Sequence, residues 1–337
     1  MSSLPAKKIR FGILGASRVA VKNFLPALQK AEFAELAMVG SRTPEKAKSV
    51  AGQFDCKSWG SYDEVLADKH IDAVYISLPN AMHEEWTVKS TDAGKHVICE
   101  KPAAISYAAA KNMTEAAKRN NVRILEGFMF RYHPQHAKVK DLIKNGVLGN
   151  CLRFDGIFGY PAPSAENIRM KPELGGGSFY DAMPYPVYAS RMIFEEEPES
   201  VFCKIENGGE SGVDKKSDIF MSYPGGKTAF MSSIFGSYFQ STYSVLGSKA
   251  LVRVERAYAV PREMSTKIFL DADDKTQEYK IKPADHFRLM VDDFCREVSS
   301  GSRSRKFEED LLAQARVLEA AKLSDNEKRV VRIDEID

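Results

Sequence analysis

Short apolar runs alternate with longer amphipathic stretches over the first third of the chain. Apolar runs at 9–14, 34–40, 73–77, 96–99 and 123–126 have the length and composition of strands buried on both faces. Between them, segments 20–29, 44–54, 62–67, 82–93 and 107–120 place apolar residues at helical spacing. Thr43 before Pro44 reads as an N-cap followed by proline at the first helical position, and Ser106 can cap the helix beginning at Tyr107. Strands alternating with helices predict a parallel sheet with crossover helices.

After Pro134 the pattern changes. One further helix is expected at 135–145, and strand-like runs then follow at 152–160, 200–206, 218–223, 227–234, 239–246, 250–254 and 266–270. Turn sequences such as Pro224-Gly225-Gly226 and Gly247-Ser248 join successive runs, as in a largely antiparallel sheet. Helices are expected at 187–194, 283–299 and 308–326. The fold class is therefore α/β: an N-terminal doubly wound parallel sheet over 1–126, and a C-terminal α/β domain with an open, largely antiparallel sheet over 127–337. The last helices are expected to pack near the domain interface.

Composition narrows the functional classes. A length of 337 residues exceeds one ordinary core and suits two domains. With 48 basic and 46 acidic residues the net charge is +2, so no overall field favours nucleic acid or a membrane surface. The five cysteines are scattered and form no Cys-x-x-Cys pair, and the first ten residues are polar and lead into the first strand. These features predict a cytoplasmic protein with reduced thiols. His133 and His136 lie three apart, but Pro134 interrupts a helix there and no acidic partner completes a metal set, so no metal is expected.

The turn after the first strand reads Gly12-Ile13-Leu14-Gly15-Ala16-Ser17-Arg18-Val19-Ala20. A dinucleotide site needs glycine where the strand turns, close backbone approach to the pyrophosphate, and a helix N-terminus aimed at that charge. Gly15 meets the first need; Ser17 and Ala20 stand where the second and third glycines are expected. At the end of the second strand, where an acid would select NAD, the chain has Ser41 and Arg42, with Lys46 a turn later. A hydroxyl and a guanidinium suit a 2′-phosphate, so NADP is favoured, with a solvated arginine as the alternative. Ser77-Leu78-Pro79-Asn80 ends the third strand at the ligand-facing edge of such a sheet. There Pro79 can wall the dinucleotide and Asn80 can hydrogen-bond it. His83 follows a turn later, as a ligand contact or as a surface or capping residue. In Phe128-Met129-Phe130-Arg131-Tyr132-His133-Pro134, Arg131 either lines the site or packs between domains.

Two segments carry candidate proton chemistry. Glu100-Lys101-Pro102 follows a buried strand, and proline restricts the backbone of the lysine before it. Gly175-Gly176-Gly177-Ser178-Phe179-Tyr180-Asp181-Ala182-Met183-Pro184-Tyr185-Pro186-Val187-Tyr188 sets Tyr185 between two prolines near a helix start. A phenol with an ordinary pKa of about 10 needs a nearby cation or helix N-terminus to release its proton at neutral pH. Lys101 and Tyr185 thus suit an acid/base pair for carbonyl reduction or alcohol oxidation. Asp181 is either a partner that orients them or an ordinary N-cap.

These landmarks in this order, the Gly15 turn, Pro79-Asn80 with His83, Glu100-Lys101-Pro102, and the glycine run leading to Asp181 and Tyr185, resemble the Gfo/Idh/MocA family of NAD(P)-dependent sugar oxidoreductases. The resemblance implies a Rossmann domain, catalytic roles for Lys101 and Tyr185, and cofactor contacts from Gly15, Ala16, Ser17, Arg18, Val19, Leu78, Glu100 and Arg131. It also implies a homodimer or homotetramer formed through the C-terminal sheet. The Phe-Met-Phe-Arg-Tyr-His-Pro-Gln run and Asn167-Ile168-Arg169 look like the branch with dTDP-sugar 3-ketoreductases, sugar dehydrogenases and dihydrodiol dehydrogenases. That likeness adds Arg169 and Tyr188 as substrate candidates. The expected substrate is a sugar or nucleotide-linked sugar; the alternatives are an aldose 1-dehydrogenase, a trans-dihydrodiol dehydrogenase, and a non-catalytic dinucleotide-sensing regulator. Met183 departs from the glycine common at that place in the family, and Pro184 and Pro186 bracket the tyrosine.

Overall fold

The computed structural model describes residues 8–209, 212–302 and 304–337. They form two compact units. The first comprises the chain up to Met129 together with His286–Leu312, and the second Phe130–Asp285 with Ala313–Asp337. The units are thus not consecutive segments of sequence, because a C-terminal helix returns to the first.

The first unit contains strands β1 (Ile9–Leu14), β2 (Ala34–Gly40), β3 (Trp59–Gly60), β4 (Ala73–Ile76), β5 (His96–Cys99) and β6 (Ile124–Glu126). All pair in parallel in the order β3-β2-β1-β4-β5-β6. The order reverses between β1 and β4, which opens a crevice at the carboxyl ends of these strands. Crossovers are α1 (Leu25–Lys30), α2 (Pro44–Gln53), α3 (Tyr62–Ala67), α4 (His83–Asp92) and α5 (Tyr107–Arg119). Ser61 caps α3 in a reciprocal box with Glu64, and Ser106 accepts from the Ala109 amide at the start of α5. The two-residue β3 escaped the sequence reading because its only large side chain, Trp59, is exposed.

The later helix in this unit, His286–Ser299, buries Phe287, Met290, Val291 and Phe294 on one stripe. Phe294 meets Phe11 of β1 at 6.3 Å between ring centroids, and Asp292 accepts from the Glu32 amide at 2.8 Å. Arg123 is buried and forks onto Glu308, with Nε 3.0 Å and Nη2 3.1 Å from the two carboxylate oxygens; Glu308 also accepts from the Ile124 amide. This charge-assisted pair ties β6 to the start of the last long helix.

The second unit is built on a nine-stranded sheet. Helix α6 (Pro134–Lys144) leads into β7 (Cys151–Tyr160), followed by the single turn α7 (Ser178–Asp181) and helix α8 (Pro184–Phe194). Then come β8 (Ser200–Asn207), β9 (Asp214–Ser222), β10 (Thr228–Phe235), β11 (Gln240–Gly247), β12 (Leu251–Val254), β13 (Thr266–Ala272) and β14 (Lys275–Ile281), and the short edge strand β15 (Val331–Arg332) closes the sheet. The order is β14-β13-β12-β11-β7-β10-β9-β8-β15, antiparallel except for β7 beside β10. Alternation along β10 buries Ala229, Met231, Ser233 and Phe235. Helix α8 covers that face, and Pro186 sits where a Cβ on Gly156 would meet it at 3.0 Å.

Strand β14 was not expected, because its side chains are polar and mostly exposed. Its signal is the turn Asp273-Asp274, both at positive φ (49° and 58°), which closes a tight hairpin onto β13. Helix α8 begins at Pro184 rather than 187, so both prolines occupy its first turn, where missing amide donors cost nothing.

Candidate active site

In the first unit the turns after β1 and β4 are locked together. The Ser77 hydroxyl donates to the Gly15 carbonyl at 2.7 Å, and the Ser77 amide donates to Leu14 at 3.0 Å. Gly15 has φ +105°, and a Cβ there would lie 2.9 Å from the Ser77 carbonyl oxygen and from Leu78, so only glycine makes this turn. Ser17 accepts from the Ala20 amide at 3.1 Å and starts the helical segment Ala20–Phe24. Ala16 is buried and Arg18 exposed, with Val19 between these extremes. This is a closely approachable backbone turn opening a helix N-terminus, and it fits the pyrophosphate of a dinucleotide.

At the end of β2, Ser41 is buried, with its amide on the Gly60 carbonyl, while Arg42 and Lys46 are exposed. Burial raises the Tyr62 pKa, and the neighbouring Arg42 charge opposes that rise. Leu78 packs under Gly15, and Pro79 and Asn80 are half-buried at the same edge.

Lys101 follows β5 and is half-buried. Its neighbours are held from inside the unit. Glu100 accepts from the Tyr75 hydroxyl at 2.6 Å, and Glu126 accepts from the Ala103 amide at 2.9 Å. The structure changes the reading of His83. It is 0% exposed, with Nδ1 2.8 Å from the Pro102 carbonyl and Nε2 3.0 Å from that of Leu78, so its ring is closed to a ligand. Glu100 is likewise buried beneath the turn rather than open to solvent.

The second unit assembles a different set. Tyr185, in the first turn of α8, is buried among the rings of Phe158, Phe130 and Tyr258, at 5.0, 5.7 and 5.7 Å between centroids. Arg169 Nε lies 2.9 Å from Asp181 Oδ1, and the Tyr160 hydroxyl donates to Asp181 Oδ2. Asp181, chiefly, holds the Arg169 guanidinium firmly protonated, and the Tyr160 and Tyr185 phenols add to that effect. Burial and then the Asp181 charge push the Tyr160 phenol far up, so Tyr160 serves as a donor.

The glycine run explains this geometry. A Cβ on Gly176 would lie 2.5 Å from the Arg169 carbonyl oxygen, and the Gly177 amide donates to that same oxygen at 2.9 Å. Gly177 also clears space for Asp214, which accepts from the Ser178 hydroxyl and the Phe179 amide, each at 2.7 Å, and so caps α7. Gly176 and Gly177 therefore accommodate the chain's own Arg169 turn and Asp214.

Two other candidates meet each other: Arg131 donates to the Tyr188 hydroxyl. Tyr160 and Asp214 had not been singled out. Tyr160 could have been noticed as a polar aromatic ending a strand, but Asp214 lay in a stretch read as a loop. His136 is a core residue between the Tyr243 hydroxyl and the Ala257 carbonyl. Among the described residues no group of histidines, cysteines or carboxylates could hold a metal ion.

The family model for an oxidoreductase family with an NAD-binding Rossmann fold matches residues 9–128, and that for the GFO/IDH/MocA C-terminal domain matches residues 136–253. The chain belongs to the Gfo/Idh/MocA oxidoreductase family. It is 32% identical over 296 residues, 88% of this chain and 89% of the relative, to dTDP-3,4-didehydro-2,6-dideoxy-alpha-D-glucose 3-reductase of Saccharopolyspora spinosa. It is 31% identical to D-xylose 1-dehydrogenase (NADP(+)) 2 of Haloferax volcanii, covering 92% of this chain and 95% of that one. In fold it is similar to KijD10, a 3-ketoreductase from Actinomadura kijaniata crystallised with NADP and TDP-benzene. The TM-score is 0.91 at 27% identity, over 94% of this chain and 98% of that one.

Proposed function

We propose that this family member is an NADP-dependent oxidoreductase that moves a hydride between nicotinamide and a carbonyl or secondary alcohol of a sugar or nucleotide-linked sugar. The reading is carried by Lys101, which stands at the carboxyl end of β5 in the unit that also holds the Gly15–Ser77 turns. A bound nicotinamide supplies the hydride chemistry; the protein binds, orients and manages a proton. Gly15, Ala16, Ser17, Arg18 and Val19 hold the pyrophosphate. Ser41, Arg42 and Lys46 read the 2′-phosphate, and Leu78, Pro79 and Asn80 wall the nucleoside.

Lys101 orients and polarises the reacting oxygen, and Tyr185 exchanges its proton. Asp181 acts through Arg169, whose cation favours Tyr185 phenolate. Support comes from the sugar 3-reductase and the 3-ketoreductase crystallised with NADP, while the D-xylose dehydrogenase favours aldose oxidation as the second reading. Following NADPH oxidation with keto-sugars and dTDP-keto-sugars, and NADP reduction with aldoses and trans-diols, tests both. Turnover of a keto-sugar is expected; NADPH binding without turnover of any of these would instead favour a sensing regulator.

The enzyme acts in the cytoplasm as a homodimer or homotetramer joined through the sheet face not covered by α8. Phe202, Phe220 and Phe230 form a cross-strand row on β8, β9 and β10, with Phe202 and Phe230 exposed. Among the described residues no helix is long and apolar enough to cross a membrane.

A further inference from the structure

The His83 ring bridges two turns at the carboxyl edge of the parallel sheet. Leu78 belongs to the turn after β4 and Pro102 to the segment after β5, and the ring contacts both main chains through carbonyl oxygens at 3.0 and 2.8 Å. Neutral imidazole has one N–H and can serve one carbonyl at a time, whereas imidazolium serves both. Burial, aided by the Lys101 charge and opposed by the two carbonyls, holds the His83 pKa below its ordinary value. In either form the ring occupies a sealed position at the start of α4, one peptide from Lys101 and one from Pro79. A residue so placed cannot touch substrate, but it sets the spacing between the dinucleotide-facing turn and the lysine's backbone.

We propose that His83 is a positioning residue for Lys101, fixing the lysine's main chain to the Leu78 turn. The inference rests on the proposed function for its consequence in turnover, but not for the positioning itself. Displacing a reacting group by about 1 Å can cost on the order of 10²-fold in rate, so the expected effect falls mainly on kcat.

The test uses the full-length protein with His83→Phe, which keeps the ring volume and removes both hydrogen bonds, and His83→Gln, which keeps one donor. Lysines are reductively dimethylated with ¹³C-formaldehyde, and the Lys101 methyl signal is assigned by its absence in Lys101→Ala. The Lys101 signal is expected to move in both variants while the signals of exposed lysines remote from this turn stay in place. In unlabelled enzyme, kcat is expected to fall about 10- to 100-fold in His83→Phe and less in His83→Gln, with sugar KM and NADPH Kd within about threefold of wild type. If His83→Phe does not fold, His83→Gln carries both measurements. An unmoved Lys101 signal in a folded variant overturns the proposal, as does a loss confined to NADPH affinity. Should the signal move while Lys101→Ala retains full turnover, the positioning stands and the catalytic reading of Lys101 fails.

Discussion

Arg169 Nε lies 2.9 Å from Asp181 Oδ1, and Tyr160 donates to the other oxygen of the same carboxylate. The acid four residues before Tyr185 is therefore committed to a cation and a donor, and the cation faces the Tyr185 phenol electrostatically. Removing the guanidinium with Arg169→Met takes away charge that favours phenolate. The pH above which alcohol oxidation reaches its plateau should then rise by about one unit. Asp181→Asn leaves the Arg169 charge uncompensated and should shift the same limb downward. The pH profile of kcat/KM in the oxidative direction checks both signs; a shift of the same sign in both variants would count against this arrangement.

Lys101→Ala and Tyr185→Phe are each expected to lower turnover by about 10²-fold or more, the usual scale of acid/base assistance. NADPH affinity, followed by fluorescence titration, should change little. If, as proposed, the two groups serve one proton transfer, the double variant should be scarcely slower than the worse single one. Unchanged turnover in both single variants would refute the assignment.

The parallel sheet was legible because each of its principal strands is a short, mostly apolar run between amphipathic helical segments. The open sheet was less so. Strand β14 presents polar residues to solvent, and only the Asp273-Asp274 turn betrays it. Among site residues, the Gly15 turn could be read because backbone and immediate neighbours set it, and the place of Lys101 at the end of β5 because an apolar run precedes it. The partners Tyr160 and Asp214 stand 21 and 36 residues from Asp181 and Ser178, and nothing local links them. His83 was identified in sequence, but whether it faced a ligand or the interior depended on where the Pro102 carbonyl came to rest.

Cofactor selectivity is expected to reside in an exposed side chain. Arg42 follows the buried Ser41, and no acid stands at the end of β2 to repel a 2′-phosphate. Arg42→Ala should weaken NADPH by about 10-fold or more, the scale of a charge-assisted phosphate contact, and leave NADH nearly unaffected. Parallel titrations of the two dinucleotides decide this; equal losses would place 2′-phosphate recognition elsewhere.

Acid should destabilise the protein before its carboxylates titrate. Burial, assisted by the Arg123 charge, lowers the His96 pKa from 6.5 to about 4, and burial alone does the same for His133. In each case Nδ1 accepts a backbone amide, that of Arg123 at 3.0 Å and that of Gln135 at 3.4 Å, so protonation there removes an acceptor. Both folded pKa values lie below the unfolded one, so the unfolded chain binds the proton first. The stabilising contribution is complete above pH 6.5 and declines as pH falls toward 4. Each histidine contributes a slope of up to about 1.4 kcal/mol per pH unit within that window. Both tryptophans, Trp59 and Trp86, belong to the first unit with His96, whereas His133 belongs to the second. His96→Asn, whose amide oxygen can still accept, should flatten the pH dependence of urea unfolding followed by tryptophan fluorescence between pH 5 and 6.5, the upper part of the window. His133→Asn should likewise flatten the pH dependence of unfolding followed by circular dichroism. Wild-type unfolding that is independent of pH across the same range would show that neither ring is held neutral by the fold.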